Sequence, residues 1–236
     1  MSDYSFLFFD VGISAFGLLI ALFLAASPPI SYESFSWRKP LVGSIFVLIC
    51  TLGIFAALLP KRCSKALHFQ REKASFAGSG IRTSSHHPDC GKFSAHGVDI
   101  NSHILCAACT GLLFGSITAI GGAVIYFFVG WHIVMATFTV ALIGVIAVVL
   151  GFSQLKFGGF IRLMLNVFFV LGAFLILVVI DELIGSLLAD FFIEAFIVFW
   201  IFTRIQLSQW DHWRICSNCQ SPCKVREEKK KSQVTS

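Results

Sequence analysis

The chain has 236 residues, of which 56% are hydrophobic and only 13% are Asp, Glu, Lys or Arg. Soluble globular domains carry about twice that share of charged residues, so the composition excludes a soluble enzyme and predicts an integral membrane protein. The formal net charge is +5. The basic residues border apolar stretches, which favours contacts with the bilayer and its anionic lipid headgroups and argues against nucleic-acid binding.

Apolar stretches recur along the chain at the length of a membrane-spanning helix, which is about 20 residues. The sequence therefore predicts an all-α integral membrane protein with about six transmembrane helices, at 5–26, 41–59, 105–129, 133–152, 161–180 and 183–202. Four regions follow: a two-helix hairpin over 1–59, a Cys- and His-rich cytoplasmic loop over 60–104, a four-helix membrane region over 105–203 and a basic, Cys-containing cytoplasmic tail over 204–236.

Lys and Arg are unevenly distributed between the predicted connections. Six spans place the 60–104 loop, the 153–160 turn and the tail on the same side, and this side holds all basic residues except Arg38 and Lys39. The positive-inside rule therefore predicts that both termini are cytoplasmic and that the protein lies in the inner (plasma) membrane.

Six of the eight cysteines form two groups on the predicted cytoplasmic side, namely Cys90, Cys106 and Cys109, and Cys216, Cys219 and Cys223. In a reducing compartment, C-x-x-C spacings indicate a metal or redox site rather than structural disulfides. Histidines cluster in the same loop, which favours a metal. Zinc is favoured over an iron–sulfur cluster or a dithiol redox centre, because no quinone, haem or flavin signature accompanies the thiols.

Tetrahedral zinc needs four ligands, and the sequence offers two alternative sets. A local site would use Cys90, His96, Cys106 and Cys109. A ribbon would pair Cys106 and Cys109 with Cys216 and Cys219 and would join the loop to the tail. Additional candidate metal ligands are His86, His87, His212 and Cys223.

The stretch Cys106-Ala107-Ala108-Cys109-Thr110-Gly111-Leu112-Leu113-Phe114-Gly115 resembles the C-A-R-C-T-G-I-x-x-G signature of an uncharacterised family of prokaryotic multi-pass membrane proteins, known as a domain of unknown function. The match covers about thirty residues, and Ala108 stands where the family usually has Arg. The resemblance implies a prokaryotic membrane protein with a thiol-rich cytoplasmic site and carries no established activity. Gly111 and Gly115, four residues apart, also predict a close helix contact.

Acidic residues inside an apolar span are costly, so each raises a functional question. Glu182, Ser186, Asp190 and Glu194 recur every four residues and could share one helix face, with Asp190 and Glu194 as a candidate ion path. The alternative is that 181–190 lies along the membrane surface and that Glu194 is neutral or paired with Arg162 or Asn166. Arg162, close to a span end, is expected to reach the interface by snorkelling.

The leading interpretation is thus a polytopic inner-membrane protein whose cytoplasmic Cys/His zinc site has a structural or regulatory role. One alternative is a metal-ion or proton-coupled transporter that uses the acids of the last helix. Another is a membrane thiol or iron–sulfur oxidoreductase. Enzymatic activity is not favoured, because the sequence lacks a hydrolase signature such as H-E-x-x-H or G-x-S-x-G. A homo-oligomer or a membrane partner protein is compatible with the pattern.

Overall fold

The computed structural model describes residues 3–27, 36–58, 97–100, 103–130 and 137–217. Within these ranges the chain forms six helices and one short β-hairpin. The helices are α1 (Asp3–Ala26), α2 (Arg38–Leu58), α3 (Ala107–Ala123), α4 (Thr137–Phe152), α5 (Gly159–Ile184) and α6 (Leu187–Ser217). The strands β1 (Gly97–Ile100) and β2 (His103–Cys106) pair antiparallel immediately before α3.

Five helices, α1 to α5, are long and apolar enough to cross a membrane, which agrees with the predicted membrane protein. Two of these spans include irregular turns: α3 continues as a π-helical turn over Val124–Val129, and α4 ends in a 3-10 turn over Ser153–Lys156. The last helix, α6, is 31 residues long and is not among the five. It carries Asp190, Glu194 and Arg204 within its first eighteen residues.

The turn between α5 and α6 consists of Gly185 and Ser186. Gly185 has φ +64°, a left-handed conformation that glycine adopts without a steric penalty, and its N–H donates to the Asp181 carbonyl at 3.1 Å. The helix therefore ends four residues later than the sequence analysis placed it. Asp181 lies in the last turn of α5 rather than in a connection.

This shift corrects the predicted acidic stripe. Glu182 belongs to α5 and Ser186 to the connection, so only Asp190 and Glu194 share a face of α6. Residues 181–190 form the end of one helix and the start of the next, and both Asp181 and Asp190 are buried.

Helix α5 is the centre of the bundle: 67% of its apolar window is buried, against 22% to 33% for the other four spans. Glycines allow its neighbours to approach closely. A Cβ atom on Gly111 of α3 would lie 2.3 Å from the Leu163 carbonyl oxygen, and one on Gly172 of α5 would lie 2.6 Å from the Gly144 carbonyl oxygen of α4. The close helix contact predicted for Gly111 and Gly115 is thus confirmed, with α5 as the partner.

Successive helices run in opposite directions, so the bundle has two distinct ends. We call the end with the start of α3 and the start of α5 the thiol end, because Cys106 and Cys109 lie there. We call the other end, where α2 and α6 begin and α5 finishes, the acidic end. Between them the outward faces of α1 and α2 expose large apolar side chains such as Phe16, Phe23 and Leu52, as expected of lipid-facing surfaces.

Two local features differ from the sequence analysis. The hairpin lies at the boundary of the predicted 60–104 loop, and its second strand includes residues 105 and 106, which belong to a predicted span. Helix α6 continues to Ser217, so the first part of the predicted 204–236 tail is helical.

Candidate functional site

The thiols Cys106 and Cys109 lie at the N-terminus of α3. Cys106 is the last residue of β2 and has an extended backbone (φ −66°, ψ 113°), so it precedes the first helical residue, Ala107. Cys109 follows in the first helical turn. The N–H groups of a first turn and the helix dipole favour negative charge, so this position stabilises thiolates.

Two buried arginines lie beside these thiols. Arg204 of α6 and Arg162 of α5 are 6% and 2% exposed. Arg204 interacts electrostatically with both Cys106 and Cys109, and Arg162 does so with Cys106. The Arg204 Nη2 atom also lies 3.5 Å from the Ala108 carbonyl oxygen, between the two cysteines.

Buried amides hold the Arg204 guanidinium in place. Its Nε donates to Asn166 Oδ1 at 2.6 Å, and Asn166 Nδ2 donates to Gln154 Oε1 and to the Arg162 carbonyl oxygen, both at 2.6 Å. Asn166 and Gln154 are at most 1% exposed. A guanidinium fixed by packed hydrogen-bond partners presents a positive charge to the thiols at a defined position.

A buried acid also lies at the thiol end. Arg162 Nη2 lies 3.8 Å from Asp211 Oδ2, and Asp211, 1% exposed, also accepts from the half-exposed Arg214. The guanidinium groups of Arg162 and Arg204 are thus two buried positive charges beside the thiols. Buried positive charge is favourable next to an anion such as a thiolate or a metal–thiolate group.

The hairpin brings a further part of the Cys/His-rich segment to the thiols. In its register the Cα atom of Gly97 is opposite that of Cys106, a separation of about 5 Å in an antiparallel pair. The residue bonded to Gly97 in the chain is His96. The structure therefore describes the chain at Cys106 and at the residue that directly follows His96.

The remaining predicted metal ligands lie outside the described residues. These are Cys90, His96, His86, His87, Cys219 and Cys223, and for Cys216 and His212 the structure describes the helical backbone alone. Within the described part of the chain, no group of three or more His, Cys, Asp or Glu side chains could hold a metal ion. The two alternative zinc ligand sets both stay predictions.

A second cluster of charged side chains occupies the acidic end. Arg38 at the start of α2 pairs with Asp181 Oδ1 at 2.6 Å and with Asp190, and all three are buried. Lys39 Nζ lies 3.5 Å from Asp181 Oδ2 and 3.4 Å from Glu182 Oε2. This cluster ties the first turn of α2 to the end of α5 and the start of α6.

Tyr126 links the irregular end of α3 to the same cluster. Its hydroxyl lies 2.7 Å from Asp181 Oδ2 and 2.7 Å from Glu182 Oε2, while its ring lies 4.6 Å below the Lys39 ammonium group. The tyrosine belongs to the π-helical turn over Val124–Val129, and such turns are common where a helix must present a side chain at a special angle.

Glu194, one helical turn after Asp190 on α6, lies deeper in the bundle. It is 4% exposed, and its Oε1 atom has no hydrogen-bond partner in the part of the chain that the structure describes.

Further along α6, Trp200 Nε1 donates to the Ser14 carbonyl at 3.2 Å, and the Ser14 and Thr203 hydroxyls are 2.9 Å apart. These contacts attach α1 to α6.

The arginines at the thiol end were not recognised as site residues from the sequence. The expectation that Arg162 snorkels to the interface is wrong, because it is buried beside Asp211. The suggested pairing of Glu194 with Arg162 or Asn166 is also not found: both contact groups at the thiol end, whereas Glu194 lies beside Asp190. The sequence did contain a signal for this site, because Arg162 and Asn166 are polar residues in an otherwise apolar stretch.

Comparison of the chain with family models, curated proteins and solved structures gave no match. The resemblance of Cys106 to Gly115 to an uncharacterised membrane-protein family therefore stays a prediction. The proposed function therefore rests on the residues of the site.

Proposed function

We propose that the protein is a multi-pass inner-membrane protein with six spans, in which α6 is the sixth and the thiol end faces the cytoplasm. The length of α6 supports this, since 31 residues in a helix extend about 46 Å, more than the bilayer core requires. Basic residues support the cytoplasmic orientation of the thiol end, because Lys and Arg are enriched on the cytoplasmic side of membrane proteins. The thiol end contains Lys156, Arg162, Arg204 and Arg214. At the acidic end, Arg38 and Lys39 are engaged with carboxylates.

We further propose that the thiol end binds zinc through Cys90, His96, Cys106 and Cys109. The observation that carries this choice is the pairing of Gly97 with Cys106 in the hairpin, because Gly97 directly follows His96 in the sequence. Structural zinc sites commonly use two cysteines two to four residues apart, and Cys106 and Cys109 have this spacing.

The charge of the surroundings suits a zinc–thiolate group. Zinc with three thiolates and one neutral imidazole carries one net negative charge. The buried Arg204 guanidinium, which Asn166 holds beside Cys106 and Cys109, would stabilise that charge.

The role that fits this site is structural. Bound zinc would fasten the Cys90 segment and the hairpin to the N-terminus of α3, and the arginines connect that position to α5 and α6 through Asn166 and Asp211. Because metal ligands must be deprotonated, the ion would be bound more weakly as the pH falls. Loss of the ion would release the cytoplasmic loop while leaving the apolar bundle in place.

Metal analysis of the purified protein tests the proposal. We expect about one zinc per chain in the wild type, and Cys90→Ser and Cys106→Ser should each lose most of it, because a tetrahedral site tolerates a missing ligand poorly. Cys216→Ser should keep its zinc, since Cys216 is not a ligand of the local site. Cys50→Ala, which removes a thiol buried in α2, is the matched control for loss of a cysteine.

The pattern of loss decides between the alternatives. Zinc retained in Cys90→Ser and lost in Cys216→Ser would replace the local site with the ribbon. Iron in place of zinc would favour the iron–sulfur interpretation. Wild-type protein without a stoichiometric metal would contradict the proposal.

A further inference from the structure

The acidic end contains a carboxyl group that the proposed zinc site does not use. Glu194 is 4% exposed and packs inside the helical bundle, and its Oε1 atom has no hydrogen-bond partner among the described residues. An ionised carboxylate in such a place is costly unless a cation or hydrogen-bond donors compensate it. A bound proton removes that cost, because a neutral carboxyl group is far cheaper to bury.

The described cations of the acidic end are already engaged with other acids. Arg38 contacts Asp181 and Asp190, and Lys39 contacts Asp181 and Glu182. The described residues of the acidic end thus hold two cations and three carboxyl groups before Glu194 is counted. Glu194 adds a fourth acid to a cluster in which acids already outnumber bases.

The described residues of the acidic end offer no further base. Asp190, one turn earlier on α6, interacts electrostatically with Glu194. The other described ionisable groups of this end are Arg38 and Lys39 on α2, Asp181 and Glu182 on α5 and Tyr126 at the end of α3. Helix α4 contains no ionisable residue over Thr137–Phe152. On α1, Ser14 contacts Thr203 and Gly17 faces Phe196, so Asp10 lies further towards the thiol end.

We infer that Glu194 is a proton-binding site inside the bundle, which exchanges its proton with the water at the acidic end through Asp190 and its neighbours. Asp190 and Glu194 are one turn apart on one face of α6, the spacing at which side chains meet. Glu182 and Lys39 extend the chain of polar groups to the surface, with side chains 24% and 27% exposed. The reaction is protonation of a carboxylate oxygen, with water at the acidic end as donor and acceptor.

This inference goes beyond the proposed zinc site and is independent of it. The two sites lie at opposite ends of the bundle, and Glu194 is about 15 Å along α6 from Arg204 by the rise of ten residues. Loss of zinc and loss of the proton site are therefore separable by measurement.

Infrared difference spectroscopy of the purified protein, recorded between neutral and alkaline pH, tests the inference. The C=O stretch of a protonated carboxyl group is distinct from the bands of carboxylates and amides. We expect the wild type to show such a band that disappears at alkaline pH, and Glu194→Gln to lack it. Asp10→Asn and Asp190→Asn serve as controls, and both variants should retain the band. Asp10 lies in the part of α1 near the thiol end, and Asp190 lies one helical turn from Glu194.

Several outcomes would overturn the assignment. A band that persists unchanged in Glu194→Gln, or that is lost in Asp190→Asn alone, would place the proton elsewhere. A wild-type band that appears only when sodium and potassium are removed would make this a monovalent-cation site. If Glu194→Gln fails to fold, Glu194→Asp supplies the same information, because its carboxyl band should shift, and an unshifted band would exclude Glu194.

Discussion

Replacing Arg38 with Met should lower the free energy of unfolding by about 3–5 kcal/mol, the cost of leaving buried charges without their partner. Arg38 pairs with two acids whose side chains are fully buried, Asp181 and Asp190, and its own side chain is 7% exposed. The substitution keeps the length of the side chain and removes the guanidinium. Three helices meet at this ion pair, so its loss should loosen α2, α5 and α6 together.

Lys39→Met is the matched control at the next position. The Lys39 side chain is 27% exposed, and its ammonium group lies 3.4 Å or more from the nearest carboxylate oxygens. Partly hydrated pairs contribute about 0–1 kcal/mol, so this variant should unfold nearly like the wild type. Both variants can be compared by denaturant-driven unfolding in detergent, followed by circular dichroism. Equal losses at the two positions would contradict the assigned role of Arg38.

The second large effect is expected at the contact between α3 and α5. Gly111→Ala should cost about 1–3 kcal/mol, because the new methyl group would lie 2.3 Å from the Leu163 carbonyl oxygen and 2.8 Å from Asn166 Cβ. The first of these atoms belongs to the main chain and cannot rotate away. The helices must therefore separate, and the shift would also move Asn166, which holds Arg204 beside the thiols.

Gly121→Ala, on the same helix, provides the comparison. A Cβ atom at Gly121 would have no neighbour within 4 Å, and alanine is a better helix former than glycine by about 1 kcal/mol. This variant should be as stable as the wild type or slightly more so. The same unfolding assay measures both. A Gly111→Ala protein that matches Gly121→Ala would show that α3 and α5 are not in contact at this position.

Apolar length alone was enough to predict the helical bundle. The stretches predicted at 5–26, 41–59 and 133–152 correspond to α1, α2 and α4 within a few residues, because each is bounded by polar or proline-containing segments. The end of α5 and the start of α6 depended on local backbone conformation instead. Asp181 and Glu182 resemble a polar connection, yet the chain turns at Gly185, where a left-handed residue can end the helix.

The sequence contains a pattern that is typical of this hairpin. Val98 and Ile100 alternate with Gly97 and Asp99, a period-two pattern, and the two residues Asn101-Ser102 separate this run from 103–106. The predicted 60–104 loop covers residues 97–104, and a predicted span covers residues 105 and 106. The register of the hairpin could not be predicted from composition.

The buried charge clusters could be predicted only in part. Hydropathy identified Asp190 and Glu194 as acids in an apolar setting, but a pattern along one helix does not show which cation lies opposite. Arg38 is 143 residues away from Asp181 in sequence, and only the packing of α2 against α5 and α6 brings them together. The same holds for Arg204, whose partner Asn166 lies on another helix.

X-ray absorption at the zinc edge of the purified wild-type protein tests the proposed zinc site at the thiol end most directly. We expect three sulfur ligands at about 2.3 Å and one nitrogen ligand at about 2.0–2.1 Å, from Cys90, Cys106, Cys109 and His96. A shell of four sulfurs would contradict the local site in favour of the ribbon, and a shell of nitrogen and oxygen alone would contradict a thiolate site altogether.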